Sequence, residues 1–287
     1  MEAVKVMSLK KQYGNQVVLN DIEFSVMKGE IFGLIGVNGA GKTTTLECIE
    51  GLRKADQGSI AFSGTLGVQL QSSSLPSQIK VKEALQLFSV WNGRSFRPDS
   101  VTVFGMDGLL ERKYQHLSIG QKRRLHLALA LLSDPDILIL DEPTAGLDID
   151  GRIEIHQIIK NLKKQGKTVI LSSHDLMEIE DLCDRVAILS NGRLVLLSES
   201  RDFADKNNRQ VKVRAKFSEP ISLSETEESV YDSMSDSVII ATDHLEDAMI
   251  TLLEMAKQHH VRLTDFIIER DGVEQMFLDI IRKEKSS

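Results

Sequence analysis

Cysteine is scarce in this chain: Cys48 and Cys183 are the two in 287 residues. They stand far apart and in no metal-like spacing, so no cysteine-built metal site is expected. Cys183 falls on the apolar stripe Leu176, Ile179, Leu182, Cys183 and reads as a small core residue. Long apolar runs are also missing. The greasiest stretch, 125–140, is broken by Asp134-Pro135-Asp136, so no segment is long enough to cross a bilayer as a helix. The first residues, MEAVKVMSLKK, lack the apolar core of a secretion signal, which predicts a cytosolic protein. Positive charge is not in excess: 35 Lys and Arg stand against 42 Asp and Glu, a net charge of −7. That balance argues against nucleic acid as the main partner. What remains is ordinary for a soluble globular protein, 41% apolar and 27% charged, of a length for one large domain or one domain with a small appendage.

The first 200 residues alternate between strand-like and helix-like patterns. Ile22, Phe24 and Val26 alternate with polar residues and predict a half-buried strand. A strand over 30–35 leads into a Gly-rich turn and then a helix through about Leu52. Ile137–Leu140 and Thr168–Leu171 read as fully buried strands. Ile155, Ile158, Ile159 and Leu162 between them predict a helix. Strand–helix–strand order implies a parallel sheet with crossover helices, and Asn191-Gly192 signals an antiparallel hairpin. The expected fold is α/β, with a large domain over 1–200 and a small α/β appendage over 201–287. In that second part, 218–237 reads as a loop or polar strand pair, 245–256 as a helix and 261–268 as a strand. A last amphipathic helix carries Val273, Met276, Phe277, Ile280 and Ile281.

Three places carry chemistry. Gly36-Val37-Asn38-Gly39-Ala40-Gly41-Lys42-Thr43 matches G-x-x-x-x-G-K-[ST] after a strand and opening a helix. Its glycines let successive N–H groups turn inward on phosphate oxygens, the helix start adds positive charge, and Lys42 reaches the terminal phosphates. Thr43 supplies a hydroxyl suited to Mg²⁺. Asp141 ends a buried strand as a hard oxygen ligand for the same ion. Glu142, which alternation turns elsewhere, suits a base acting on water. Ser118 with Gln121 fits a capping box; the same helix start, with Gly120, could equally bind a phosphate.

In this order the motifs resemble the nucleotide-binding subunit of ABC transporters over nearly all of residues 1–200. The resemblance implies further roles. Tyr13 stacks on adenine, and Thr44 belongs to the phosphate site beside Thr43. Gln71 contacts Mg²⁺ and water at the hinge to a helical subdomain over about 72–134. Asp148, in Ala145–Asp148, sits in a loop communicating between paired sites. His174 contacts the γ-phosphate. It further implies a head-to-tail dimer, homodimeric or with a related subunit, in which ATP on one subunit's loop is covered by Ser118, Gly120 and Gln121 of the other. The partner would be a separate transmembrane permease, with this subunit cytoplasmic and peripheral on the cytoplasmic face of the cell membrane. The 272–278 segment, GVEQMFL, is similar to the closing segment of drug- and antibiotic-export ATPases and favours export.

Two departures stand out: Ile119 where the family commonly has glycine, and a short connection between Gly51 and Gln71. Ile119 predicts an ordinary backbone there, leaving phosphate binding to Ser118 and Gly120. The competing class is a soluble ABC ATPase acting on nucleic acid or ribosomes, or in metal-cluster assembly. One cassette, no heptad insertion and the acidic balance weigh against it.

Overall fold

Five buried parallel strands set the position of everything that follows. In the computed structural model, residues 1–69, 74–95, 104–199, 211–219, 229–232, 237–242 and 244–270 are described. The chain divides into two compact units, Met1–Glu199 and Ser200–Ser287.

The first unit opens with β1 (Glu2–Tyr13) and β2 (Gln16–Met27), which pair antiparallel; β4 (Gln57–Phe62) adds to β1, giving the order β2-β1-β4. As the alternation predicts, Ile22, Phe24 and Val26 point to one buried face. A second sheet has the order β5-β6-β7-β3-β8-β9, with β3 (Ile31–Ile35), β5 (Leu66–Gln69), β6 (Ile137–Asp141), β7 (Thr168–Ser173), β8 (Arg185–Ser190) and β9 (Arg193–Glu199). All neighbours are parallel except β8 and β9. Those two form the hairpin that Asn191-Gly192 announces, and both turn residues have positive φ, 47° and 73°. That is what a tight hairpin with right-handed strand twist requires.

Helix α1 (Lys42–Ile49) follows β3, and its Leu46 and Ile49 join Phe32, Leu34, Ile137, Ile139 and Ile170 in a core shared with β1 and β2. Within it the Phe24 and Phe32 rings stack 5.2 Å apart. The expectation that α1 runs to about Leu52 is corrected: Glu50 caps it, and Gly51 at φ 76° turns the chain out of the helix. Helices α2 (Val81–Trp91) and α3 (Ile119–Leu131), with single-turn helices Asp107–Leu109 and Tyr114–His116 between them, make up the described part of the helical region. Helix α4 (Ile149–Lys164) buries the predicted Ile155, Ile158, Ile159 and Leu162, and α5 (Leu176–Leu182) follows β7. Cys183 is buried, as its stripe suggests.

The second unit has a sheet of order β11-β12-β10-β13, built of β10 (Val211–Phe217), β11 (Ser229–Asp232), β12 (Ser237–Thr242) and β13 (Leu263–Arg270), all antiparallel. Helix α6 (Leu245–Gln258) lays Ala248, Leu252 and Ala256 on Val213, Ala215, Phe217, Val238 and Ile240. The last predicted helix and the 272–278 motif lie outside the described residues. Among the described residues, no helix is long and apolar enough to cross a membrane.

Candidate active site

Because β6, β7 and β3 are adjacent and parallel, their C-terminal ends reach the same sheet edge. The register pairs Ile35 with Ser173 and Asp141 with Ser172. The Gly36 loop, the Asp141-Glu142 carboxylates and His174 therefore leave the sheet side by side.

The loop closes on itself through Ala40 N–H to the Val37 carbonyl, 3.0 Å. Gly36 is required by contact: a Cβ there would lie 2.5 Å from the Leu189 carbonyl oxygen. Gly41 is required by conformation, at φ 105°, with Leu19 Cδ2 2.7 Å from where a Cβ would stand. Gly41 caps α1 with no side-chain hydrogen bond, and the first turn holds no acidic residue. The N–H groups of Lys42, Thr43 and Thr44 thus begin the helix without an intrahelical acceptor. Lys42 is buried, and its Nζ donates to the carbonyls of Gly36 (2.7 Å) and Val37 (3.4 Å). Burial holds its pKa below the ordinary lysine value, while Glu142 and then Asp141 act against that shift. Uncapped N–H donors and a buried ammonium converging on one loop fit a polyphosphate. Thr45 is not part of this set, since its hydroxyl is spent on the Gly41 carbonyl, 2.9 Å. Thr43 is exposed, as are Asn38 and Gly39, whereas Ala40 is buried.

Asp141 is buried and accepts a hydrogen bond from the Ser172 hydroxyl. The Ser172 oxygen in turn accepts from Glu142 N–H at 3.1 Å. Strand alternation does not aim Glu142, contrary to the sequence reading. The strand ends at Asp141, and Glu142 swings out in a left-handed conformation, φ 48°, with its N–H also reaching the Ser172 carbonyl. A glutamate with positive φ is uncommon and marks a constrained site. Its Oε1 lies 3.1 Å from His174 Nδ1. Ser172, which links the Asp141 carboxylate to the Glu142 backbone N–H, is a residue that sequence reasoning missed. Its hydroxyl gave no signal of its own, because the same strand also carries Thr168 and Ser173.

Tyr13 sits by the far end of α1 rather than its start. Its ring centroid is 5.3 Å from Arg53 Cζ and 5.4 Å from Lys11 Nζ, and Arg53 is itself paired with Glu47 of α1 at 2.5 Å. Both cations escaped the sequence reading. An eight-residue helix rises about 12 Å, a base-to-terminal-phosphate scale. Gln71 lies outside the described residues.

The second helix start is built as a capping box. Gln121 N–H donates to Ser118 Oγ at 3.2 Å, and Ser118 N–H donates to Gln121 Oε1 at 3.0 Å. Ile119 is the first residue of α3, with ordinary φ and an exposed side chain. Gly120 meets only Leu147 Cδ2, at 3.8 Å from an added Cβ, so the fold itself does not demand glycine there. Asp148 caps α4 by accepting Gly151 N–H at 2.9 Å. Ser118, Gly120, Gln121 and Asp148 line one open hollow of 560 Å³, together with Arg124 and Glu154, which form an ion pair. No residue of the Gly36 loop lines it.

A phosphate loop on a parallel sheet, with carboxylates at the end of a strand one place removed from it, defines a nucleotide-phosphate hydrolase core. The sequence profile described as "ABC transporter" matches residues 19–145. The linearmycin resistance ATP-binding protein of Bacillus subtilis is 30% identical, covering 95% of this chain and 96% of its own length. A Nod factor export ATP-binding protein of Burkholderia orbicola is 38% identical, covering 66% of this chain and 68% of its own. Among solved structures, an ATP-binding subunit of an ABC transporter superposes with a TM-score of 0.65 at 29% identity, over 71% of this chain and 92% of that one. A dimeric post-hydrolysis cassette bound to ADP and Pi gives a TM-score of 0.63 at 23% identity, over 69% and 99%. The chain belongs to the ABC transporter ATP-binding family, and it is an ATPase.

Proposed function

We propose that this subunit pairs head to tail on ATP and powers export through a separate transmembrane permease. The observation that carries the pairing is the separation of two anion-accepting helix starts. The Gly36 loop and the Ser118–Gly120 hollow share no lining residue, so a second subunit supplies the cover. Export is supported by the names of the relatives, which concern linearmycin resistance and Nod factor export.

In this reading Lys42 and the N–H groups of Gly39 and of residues 41–44 hold the β- and γ-phosphates, and Tyr13 stacks on the base. The Thr43 hydroxyl and the buried Asp141 carboxylate, with Gln71, suit Mg²⁺, a hard ion content with few protein oxygens beside phosphate and water. When bound, it supplies positive charge against the phosphate oxygens. Glu142 orients a water and takes its proton as the water oxygen bonds to the γ-phosphorus. The bond from that phosphorus to the bridging oxygen breaks, releasing ADP and phosphate. His174 keeps the Glu142 carboxylate in place and faces the γ-phosphate. Ser118 and Gly120 of the paired subunit donate to the same phosphate, so hydrolysis removes charge-assisted hydrogen bonds from the interface and reopens it.

Glu142→Gln is the test: ATP binding stays, turnover falls by orders of magnitude, and gel filtration with ATP and Mg²⁺ shows an accumulated dimer. Undiminished turnover would remove Glu142 from this role. The permease arm is read by purification from membranes, where a multi-span protein should come along. A complex with soluble partners alone would replace export by one of the soluble ABC functions.

A further inference from the structure

Glu178 lies on α5, outside every motif of the sequence, and is almost wholly buried, at 4% exposure. A buried carboxylate needs a reason, because losing water is expensive unless each oxygen is matched. Here the match is complete. Oε1 accepts from the Thr144 hydroxyl at 2.8 Å, and Oε2 accepts from the Ser173 hydroxyl at 2.6 Å. His156 of α4 places Nε2 3.3 Å from Oε1, while its Nδ1 meets Asp181 at 3.0 Å and Asp181 meets Lys160 at 2.6 Å. Thr144 and Ser173 are themselves buried.

The two hydroxyls are not arbitrary positions. Thr144 lies two residues after Glu142, in the turn whose closure is the Ala145 N–H bond to the Glu142 carbonyl. Ser173 is the residue before His174. We propose that Glu178 is a positioning residue for ATP hydrolysis, its carboxylate fastening the turn after Glu142 to the strand end before His174 so that those two side chains meet. The inference rests on the reading of Glu142 and His174 as the hydrolytic pair.

The geometry explains why one carboxylate is needed. The turn leaves β6 and the His174 segment leaves β7; past the Glu142 N–H bond to Ser172 the ladder no longer ties them. Two acceptor oxygens on one rigid group, projected from a third element, hold two separate hydroxyl donors at a fixed spacing. His156 counters the buried charge from behind: its bonds to Glu178, and then to Asp181, hold the imidazole pKa above its ordinary value against burial. Arg152 of α4 reaches Asp175, so the segment after His174 is held to the same helix.

Misplacing a catalytic group by about an ångström costs on the order of a hundredfold. Glu178→Gln and Thr144→Val should each lower kcat by about ten- to a hundredfold, with the KM for ATP changed less than about twofold, since no phosphate-loop contact is lost. Thr144→Ser keeps the hydroxyl and should retain near-normal kcat, whatever Thr144→Val does. Steady-state ATPase kinetics on the full chain, with melting temperatures alongside, read these outcomes. Normal kcat in both Glu178→Gln and Thr144→Val, in a protein where Glu142→Gln is inactive, overturns the positioning role. So does equal loss in Thr144→Ser and Thr144→Val that tracks a lower melting temperature, because that is a fold effect. If Glu178→Gln does not fold, the Thr144 pair still decides. Activity in Glu142→Gln would instead bring down the underlying reading of the pair.

Discussion

Lys42 and Glu50 are both ionisable groups placed where water is scarce, and their surroundings treat them differently. Lys42 has two neutral carbonyl acceptors and two carboxylates in view, an arrangement that gains when phosphate arrives. Lys42→Ala should weaken ATP binding at least about tenfold, the scale of one charge-assisted contact. Titration calorimetry on the variant with unchanged affinity would contradict this. Glu50 ends α1 with both carboxyl oxygens buried and without hydrogen-bond partners among the described residues. Burial, then Asp141, then Glu47 raise its pKa from 4.5 to about 7. A folded-state value above the unfolded one means the protonated acid favours the fold. That contribution is complete below the unfolded value and is lost as pH rises to about 7. Glu50→Gln should therefore stabilise the nucleotide-free protein at pH 8 by about 1–3 kcal/mol, and far less at pH 5. An equal effect at the two pH values in thermal melts would contradict a raised Glu50 pKa.

Among the elements, the start of α3 and the β8–β9 hairpin each serve two masters. At α3 the capping box satisfies the helix whether or not a nucleotide arrives, and sequence reasoning left those alternatives side by side. Ser118→Asp separates them. Asp caps as well as Ser, so the monomer's melting temperature should hold within a degree or two, while an anion facing phosphate should abolish the ATP-dependent dimer. Dimerisation at wild-type ATP concentrations would leave α3 merely capped. In the hairpin, Gly192 accepts from Asn20 N–H at 2.7 Å and donates to the Ala40 carbonyl at 3.1 Å, so it braces the phosphate loop from behind. A Cβ there would stand 2.3 Å from the Val18 carbonyl, at φ 73°. Gly192→Ala should destabilise by about 2 kcal/mol or more and weaken ATP binding along with it. Denaturant unfolding showing a wild-type midpoint would mean the backbone yields more easily than these contacts imply. The hairpin itself was legible because Asn-Gly is a local signal. Its role behind the loop was not, since β2, the loop and β8–β9 are far apart in sequence and meet only in the fold.

At the scale of the whole chain, legibility follows the range of the interaction. A parallel sheet beneath the phosphate edge could be anticipated from strand–helix–strand order, though not which strands would be neighbours. Ser172 and Glu178 could not, because a lone hydroxyl or acid acquires meaning only from what lies across a strand gap. Tyr13 was singled out by the family resemblance, yet Arg53 on its ring comes from another segment, and Lys11 reaches the ring from the same strand. Each compact unit has a buried apolar cluster of its own among the described residues, and every described residue of the phosphate site belongs to the first. A chain ending at Glu199 should accordingly fold and keep a melting temperature that rises with ATP and Mg²⁺. An insoluble product, or one indifferent to nucleotide, would show that the second unit is needed for the first. The B. subtilis relative matches across both units, since it covers 95% of the chain.

The left-handed backbone at Glu142 has a consequence for how this protein could change. A non-glycine residue there costs about 1 kcal/mol or more, held in place by Ser172. Glycine would relieve that cost and lose the carboxylate, so Glu142→Gly should melt higher than the wild type while failing to turn over ATP. Screening variants for thermal robustness alone would thus drift toward inactive proteins at this position, because the backbone that serves hydrolysis is one the fold by itself would discard.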